Sequence, residues 1–284
     1  MFRKRDRMIQ IKSDAEVALM RAAGLVVGRA LEALRVAAVP GVTTAALDQL
    51  AETTIREAGA IPSFKGYQPH PSVPPFPGSI CASVNDEIVH GIPGPRALRD
   101  GDVISIDCGA ILEGWHGDAA VTVAVGAVPA EVHELMRVCE ESMWRGLAAA
   151  TEGGRVSDIS HAVESHVQAQ SSGYGIVEEY GGHGIGTEMH QEPHVLNYGR
   201  PGRGPRLQRG LVLAVEPMLT LGSPRTRELD DHWTVSTVDG QASAHFEHTV
   251  AVTADGPWVL TALDGGRDRI ASITGAASGA AAAG

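Results

Sequence analysis

Between Gly41 and Gly59 the apolar residues Leu47, Leu50 and Ile55 share one face of a helical repeat, which predicts a helix that Gly59 stops. Upstream, Ser13-Asp14-Ala15-Glu16 has capping-box spacing and predicts the start of a first helix. Pro129 predicts the opening of a third, since the fixed φ of proline suits the first helical position. A fourth is expected after Ser157. Asp102 to Val125 reads as two strands joined at Leu112-Glu113-Gly114-Trp115. Further strands are expected over Leu211–Leu219, Trp233–Val238 and Ala244–Thr253. Residues 61–81 predict a loop, with five prolines from Pro69 to Pro77. The chain divides into a frayed tail over 1–12, a single domain over 13–265 and an Ala/Gly-rich, disordered tail over 266–284.

An internal echo runs through this pattern. Gly41 precedes Leu47 as Gly153 precedes Ile159, and His90-Gly91-Ile92 returns as His183-Gly184-Ile185. Val103 to Asp107 is similar to Val212 to Glu216, and Asp118 to Val123 is similar to Glu247 to Val252. Their shared order predicts two halves built alike, with carboxylates from matching strands meeting near a pseudo-two-fold axis.

A net charge of −11 over 284 residues argues against nucleic-acid binding, which needs a basic face. No apolar run approaches the roughly 18 residues of a membrane span, and Met1 to Lys12 has no apolar stretch behind it, so neither a membrane segment nor a secretory signal is expected. Cys81, Cys108 and Cys139 are odd in number and lack CxxC spacing, which speaks for reduced thiols and a cytoplasmic protein. Of the 12 aromatic residues, Phe64, Tyr67 and Phe76 fall in one loop region and suggest a pocket.

Four acids sit at the ends of apolar strands: Asp107, Asp118, Glu216 and Glu247. One such acid is ordinarily a satisfied core or turn residue. Four in an ordered series need a shared counter-charge, because an unpaired buried carboxylate is costly, and divalent cations supply it. His183 lies among Gly181, Gly182, Gly184 and Gly186, which let the backbone approach a site closely. One imidazole with four carboxylates suits Mn, Fe, Co or Zn.

The series His90, Asp107, Asp118, His183, His190, Glu216, Glu247 resembles the methionine aminopeptidase family. Ser83 to Pro93, Ile106-Asp107, His116-Gly-Asp118, Gly182 to Gly186, His190-Gln-Glu-Pro, Glu216-Pro217 and Phe246 to Thr249 carry the likeness, which extends from Ile11 to Leu263. Glu216 follows His190 by only 26 residues, so there is no room for a helical insertion and the chain is similar to the type I branch. The resemblance implies an α+β, pita-bread fold, with pseudo-two-fold halves and a curved, mainly antiparallel sheet covered by helices on its outer face. It implies two divalent metal ions: Asp107 on one, His183 and Glu216 on the other, Asp118 and Glu247 bridging. His90 and His190 face substrate, and Glu216 acts as general base. Tyr67, Phe76, Cys81 and Trp233 match the methionine pocket, and Met189 replaces a bulky apolar residue before His190. The implied activity is removal of the initiator methionine before a small second residue. The implied partners are N-terminal methionyl peptides and nascent chains at the ribosome, met by a cytoplasmic monomer.

Two rivals share that fold: an Xaa-Pro aminopeptidase or prolidase, and a non-catalytic binding protein. The first ordinarily carries an added N-terminal domain, whereas catalytic-type sequence starts here by residue 13. The second typically loses ligands, and all five are present. Pro71-Ser-Val-Pro74 reads as a stiff connector, His161 and His166 as a solvated helix face, and the Cys81 thiol as pocket wall rather than nucleophile.

Overall fold

The computed structural model describes residues 9–170 and 173–275. Its first half runs α1 (Asp14–Ala37), α2 (Thr44–Glu57), β1 (Ile61–Pro62), β2 (Ile80–Val84), β3 (Glu87–Val89), β4 (Val103–Leu112) and β5 (Trp115–Ala124). Two helices follow, α3 (Ala130–Ala148) and α4 (Val156–Gln168), and then β6 (Gly175–Ile176), β7 (Gly182–Gly184), β8 (Gln191–Val195) and β9 (Val212–Val215). The rest comprises β10 (Met218–Thr220), β11 (Thr226–Glu228), β12 (Val235–Thr237), β13 (Ser243–His245), β14 (Glu247–Thr253), β15 (Gly256–Val259) and α5 (Arg267–Thr274).

The expected capping box forms: Glu16 N–H donates to Ser13 Oγ, and Ser13 N–H donates to Glu16 Oε2. Pro129 caps α3 from just outside rather than opening it, and α4 begins one residue before Ser157.

A large antiparallel sheet carries the order β1-β4-β5-β14-β9-β7-β8, with β2 also on β4 and β15 on β14. Helices cover one face. Val27, Ala30 and Leu34 of α1 pack with Ile104, Ile106 and Ala119 of β4 and β5. Leu135 and Met143 of α3 and Ile159 and Val163 of α4 pack with Leu213, Val215, Val250 and Val252. Each half therefore has its own helix pair over its own strands, and Val121 on β5 touches both cores. The seam is tight where α1 crosses β5: a Cβ on Gly117 would lie 2.8 Å from the Gly24 nitrogen.

Two expected strands are broken. Leu211–Leu219 divides at Glu216-Pro217 into β9 and β10, and Ala244–Thr253 divides at Phe246 into β13 and β14. Proline has no N–H to give the ladder. Both chains bend together: β9 pairs with β14 in the large sheet, then β10 pairs with β13 in a smaller one. Trp233–Val238 shrinks to β12, which pairs with β3 and β11.

Both tails need correction within the described residues. Ile11 bridges to Leu211 and Lys12 is buried, so 9–12 is packed rather than frayed. Residues 267–274 form α5, since Ile270 and Ile273 pack on the second-half core and Arg269 reaches Glu141. The tails over 1–8 and 276–284 lie outside the described residues.

Candidate metal centre and substrate cavity

Strand register decides where the acids point. Ala120 on β5 is the Cα partner of both Asp107 on β4 and Glu247 on β14. Residues directly opposite share a sheet face, as do residues two apart. Asp107, Asp118 and Glu247 therefore face the side away from the helices. Val215 pairs with His248, which carries Glu216 beside Glu247 on that same face. The small Ala120 at the centre of the row leaves room between the carboxylates.

His183 approaches from β7, with Nε2 3.5 Å from Glu216 Oε1 and 4.0 Å from Asp118 Oδ2. Ligand atoms of Asp118, His183 and Glu247 lie within 4.8 Å of one another. His183 Nδ1 lies 2.9 Å from the Gly184 carbonyl, an acceptor only, so it carries the hydrogen and Nε2 presents its lone pair to the acids. Burial pushes Asp107 up to about 7 and Glu216 to about 8, and the charge of Asp107 adds to the rise at Glu216. Burial, then the neighbouring carboxylates, hold Asp118 and Glu247 well above the usual range. Burial pushes His183 down to about 3, which keeps its ring neutral.

Such a cluster lacks a positive partner. Asp107 Oδ1, Asp118 Oδ1 and Glu247 Oε1 are buried with no hydrogen-bond partner among the described residues. Buried carboxylate oxygens in that state are expensive, and a divalent cation satisfies several at once. The donors are oxygens and one imidazole nitrogen, a set that fits divalent metal binding.

A cavity of about 360 Å³ opens over the cluster. Its lining brings together His90, Asp107, Asp118, His183, His190, Glu216 and Glu247 with Tyr67, Phe76, Cys81 and Trp233. One expected site residue is misplaced. Met189 lies off the cavity wall, packed with Met20, Trp115 and Ile185, because the chain turns His190 inward and its neighbour toward the core.

Phe76, Cys81 and Trp233 form a buried apolar nest with Phe64, Tyr67, Val73 and Ile92 at its edge. Phe76 meets Trp233 edge-on at 5.1 Å. Burial and nearby Asp107 push the Cys81 thiol far up, which fits a wall and not a nucleophile. The proline-rich loop is pinned to this nest, since the Trp233 indole N–H donates to the Pro74 carbonyl at 2.9 Å.

His190 stands 4.5 Å from His183 by ring centroids, and its Nδ1 is 3.1 Å from the Tyr67 hydroxyl. His90 has φ of 61°, a left-handed conformation unusual for a side-chain-bearing residue. Burial, then the charge of His190, pushes His90 down to about 4, so it stands neutral at the cavity.

Sequence reasoning missed His245. It is 2% exposed, and its Nε2 lies 3.8 Å from Glu216 Oε2. The available signal was its position two residues before Glu247, on the same strand face. Tyr180 was also missed, and its ring packs edge-on against His90 at 5.7 Å.

Comparison with known proteins agrees with this geometry. Residues 18–254 match the model of metallopeptidase family M24. A methionine aminopeptidase of Clostridium acetobutylicum is 52% identical over 89% of this chain and 99% of its own. Methionine aminopeptidase 1 of Mycobacterium tuberculosis is likewise 52% identical, over 90% and 96%. The crystal structure of a methionine aminopeptidase from Rickettsia prowazekii superposes with a TM-score of 0.85 at 38% identity, covering 89% of this chain and all of that one. A prolidase from Pyrococcus furiosus is 20% identical with a TM-score of 0.69 and is covered over only 65% of its length, a likeness of fold alone. The fold is therefore the pita-bread α+β architecture, and the chain belongs to metallopeptidase family M24, among its methionine aminopeptidases.

Proposed function

We propose that this chain hydrolyses the peptide bond after an N-terminal methionine, by the residue roles that follow. One observation carries the reading: five metal-type ligands adjoin an apolar nest of Phe76, Cys81 and Trp233 within a single cavity. Asp107, Asp118, His183, Glu216 and Glu247 would together hold the divalent cations, as the resemblance implies. When bound, such a pair acidifies a water towards a pKa of about 7 and polarises a carbonyl.

The chain's own groups do the rest. Phe76, Tyr67, Trp233 and Cys81 hold the methionine side chain through apolar and sulfur–aromatic contact. Glu216 takes the proton of the attacking water. His190 donates to the developing oxyanion, and the Tyr67 hydroxyl at its Nδ1 fixes the ring. His90 faces the amide nitrogen of the leaving residue. A small second residue is the proposed preference, as the resemblance implies.

Nascent methionyl chains at the ribosome are the proposed substrates, taken by a cytoplasmic monomer. No helix among the described residues is long and apolar enough to cross a membrane. The net charge of −11 disfavours direct nucleic-acid contact. Met-Ala-Ser, Met-Phe-Ser and Ala-Pro-Ser test the reading, with Mn²⁺ or Co²⁺ supplied. Rapid release of methionine from the first alone is expected. Preferential cleavage of Ala-Pro-Ser would favour the prolidase-like alternative.

A further inference from the structure

His245 is a buried imidazole that the proposed mechanism leaves unused. Its main chain is locked from two sides. Its N–H donates to Thr122 Oγ1 at 2.9 Å, and Thr122 Oγ1 donates to its carbonyl at 2.7 Å. On β13 it pairs with Met218, two residues after Glu216, so the bend at Glu216-Pro217 turns the carboxylate towards the ring. Nε2 is fully buried and has no hydrogen-bond partner among the described residues. Glu216 Oε2 lies 3.8 Å from it, while Glu216 Oε1 lies 3.5 Å from His183 Nε2. The Glu216 carboxylate thus stands between two imidazoles, one at each oxygen.

We propose that His245 is a positioning residue: its Nε2–H takes Glu216 Oε2, directly or through one water, and so turns Oε1 towards His183 and the cation. This rests on the reading of Glu216 as a ligand. A buried donor left unmade is costly, which explains why the orphaned Nε2 is tolerated only opposite a carboxylate. Hydrogen-bonding partners behind metal ligands fix ligand orientation, and their loss typically weakens metal binding or activity about 10- to 100-fold.

Two variants of similar length separate donor from filler: His245→Gln keeps an N–H, and His245→Met does not. Mn²⁺ titration calorimetry on the full chain should show at least about 10-fold weaker binding at one site for His245→Met, with stoichiometry unchanged. His245→Gln should recover most of that loss. For Met-Ala-Ser, kcat should fall in the Met variant with KM nearly constant. Imidazole ¹⁵N spectra of the metal-loaded wild-type protein should show His245 Nε2 carrying an exchange-protected hydrogen, a readout that holds even if His245→Met does not fold. A deprotonated Nε2, or the loss of one Mn²⁺ equivalent in both variants, would make His245 a direct ligand and overturn the proposal. Equal affinities for the Gln and Met variants, with Glu216→Gln impaired, would overturn it alone. Unchanged Mn²⁺ affinity in Glu216→Gln would instead remove the ligand reading of Glu216, and the positioning role with it.

Discussion

Asp118 and Glu247 differ from His190 in what their loss should cost. Both acids are buried beside His183 and each has an oxygen with no hydrogen-bond partner among the described residues. Asp118→Asn or Glu247→Gln keeps the shape and removes the charge, so metal binding and turnover should disappear together. His190 sits at the same cavity but is tied to Tyr67. His190→Ala should retain the cations and lose about 10²- to 10³-fold in kcat, the usual effect of removing one oxyanion donor. Calorimetric titration with Mn²⁺ beside a Met-Ala-Ser assay separates these outcomes, and normal metal affinity in Glu247→Gln would remove its bridging role. At this scale the sequence was informative because an acid beside an apolar run is conspicuous, although Asp107 and Asp118 stand inside β4 and β5 and only Glu216 and Glu247 lie at strand ends. His245 was not, since the bend at Phe246 hides that β13 and β14 continue one face. Met189 was misread because adjacency to His190 says nothing about which way a side chain turns.

Elements of regular period were legible, and those made by their partners were not. The helices α1 and α2 carry their own side-chain caps at Ser13 and Thr43, and β4 and β5 are long, ten residues each. Strands of two or three residues, such as β3, β6 and β11, exist only through pairing with distant chain. The N-terminal segment was also illegible, because its order comes from the 186–191 turn. Gln10 Oε1 accepts from Gln191 Nε2 at 2.9 Å, and Lys12 Nζ donates to the Gln10 carbonyl at 3.1 Å. Gly186 lies against the ends of the Gln10, Lys12 and Gln191 side chains. Burial pushes Lys12 down to about 8 from 10.5, partly opposed by Glu16. The folded state therefore disfavours the cation. This penalty, about 3 kcal/mol, is full below about pH 8 and vanishes as pH rises towards 10.5. Lys12→Met should be the more stable protein at pH 7, less the lost hydrogen bonds to the Gln10 carbonyl and to Gln191 Oε1, and the advantage should shrink by pH 10. Urea melts at both values check this, and an advantage that does not change with pH would contradict it.

The proline-rich loop poses a different question at the same scale. Its ends, Tyr67 and Phe76, are joined by the Phe76 N–H donating to the Tyr67 carbonyl, and Pro69 reaches the cavity. With Trp233 holding Pro74, we propose that the loop serves as a lip over the pocket. Shortening it while keeping Tyr67 and Phe76 should change KM for long peptides more than for tripeptides and leave metal binding intact. Equal KM changes for both lengths would reduce it to a surface bulge.

At the scale of the whole molecule, the internal echo foretold the arrangement but not its consequence. Asp107 and Asp118 come from the first half, and His183, Glu216 and Glu247 from the second. The halves join where β5 pairs with β14 through Ala119, Ala120, Glu247 and His248, so the acids of one half confront those of the other across the seam. Without a cation this confrontation opposes folding, and with one it becomes a link between halves. Occupancy at about 100 times the dissociation constant adds about 2.7 kcal/mol, and for a chain of this size each kcal/mol moves Tm by about 2–4 °C. Dialysis against a chelator should therefore lower Tm by about 5–10 °C, and Mn²⁺ should restore it. Hydrogen exchange should rise most along β5 and β14 in the stripped protein, because the lost link spans that pair. The Asp118→Asn, Glu247→Gln double variant removes the repulsion and the ligands together. It should melt at one temperature with or without Mn²⁺, and an equal Mn²⁺ stabilisation of this variant would place the cation elsewhere.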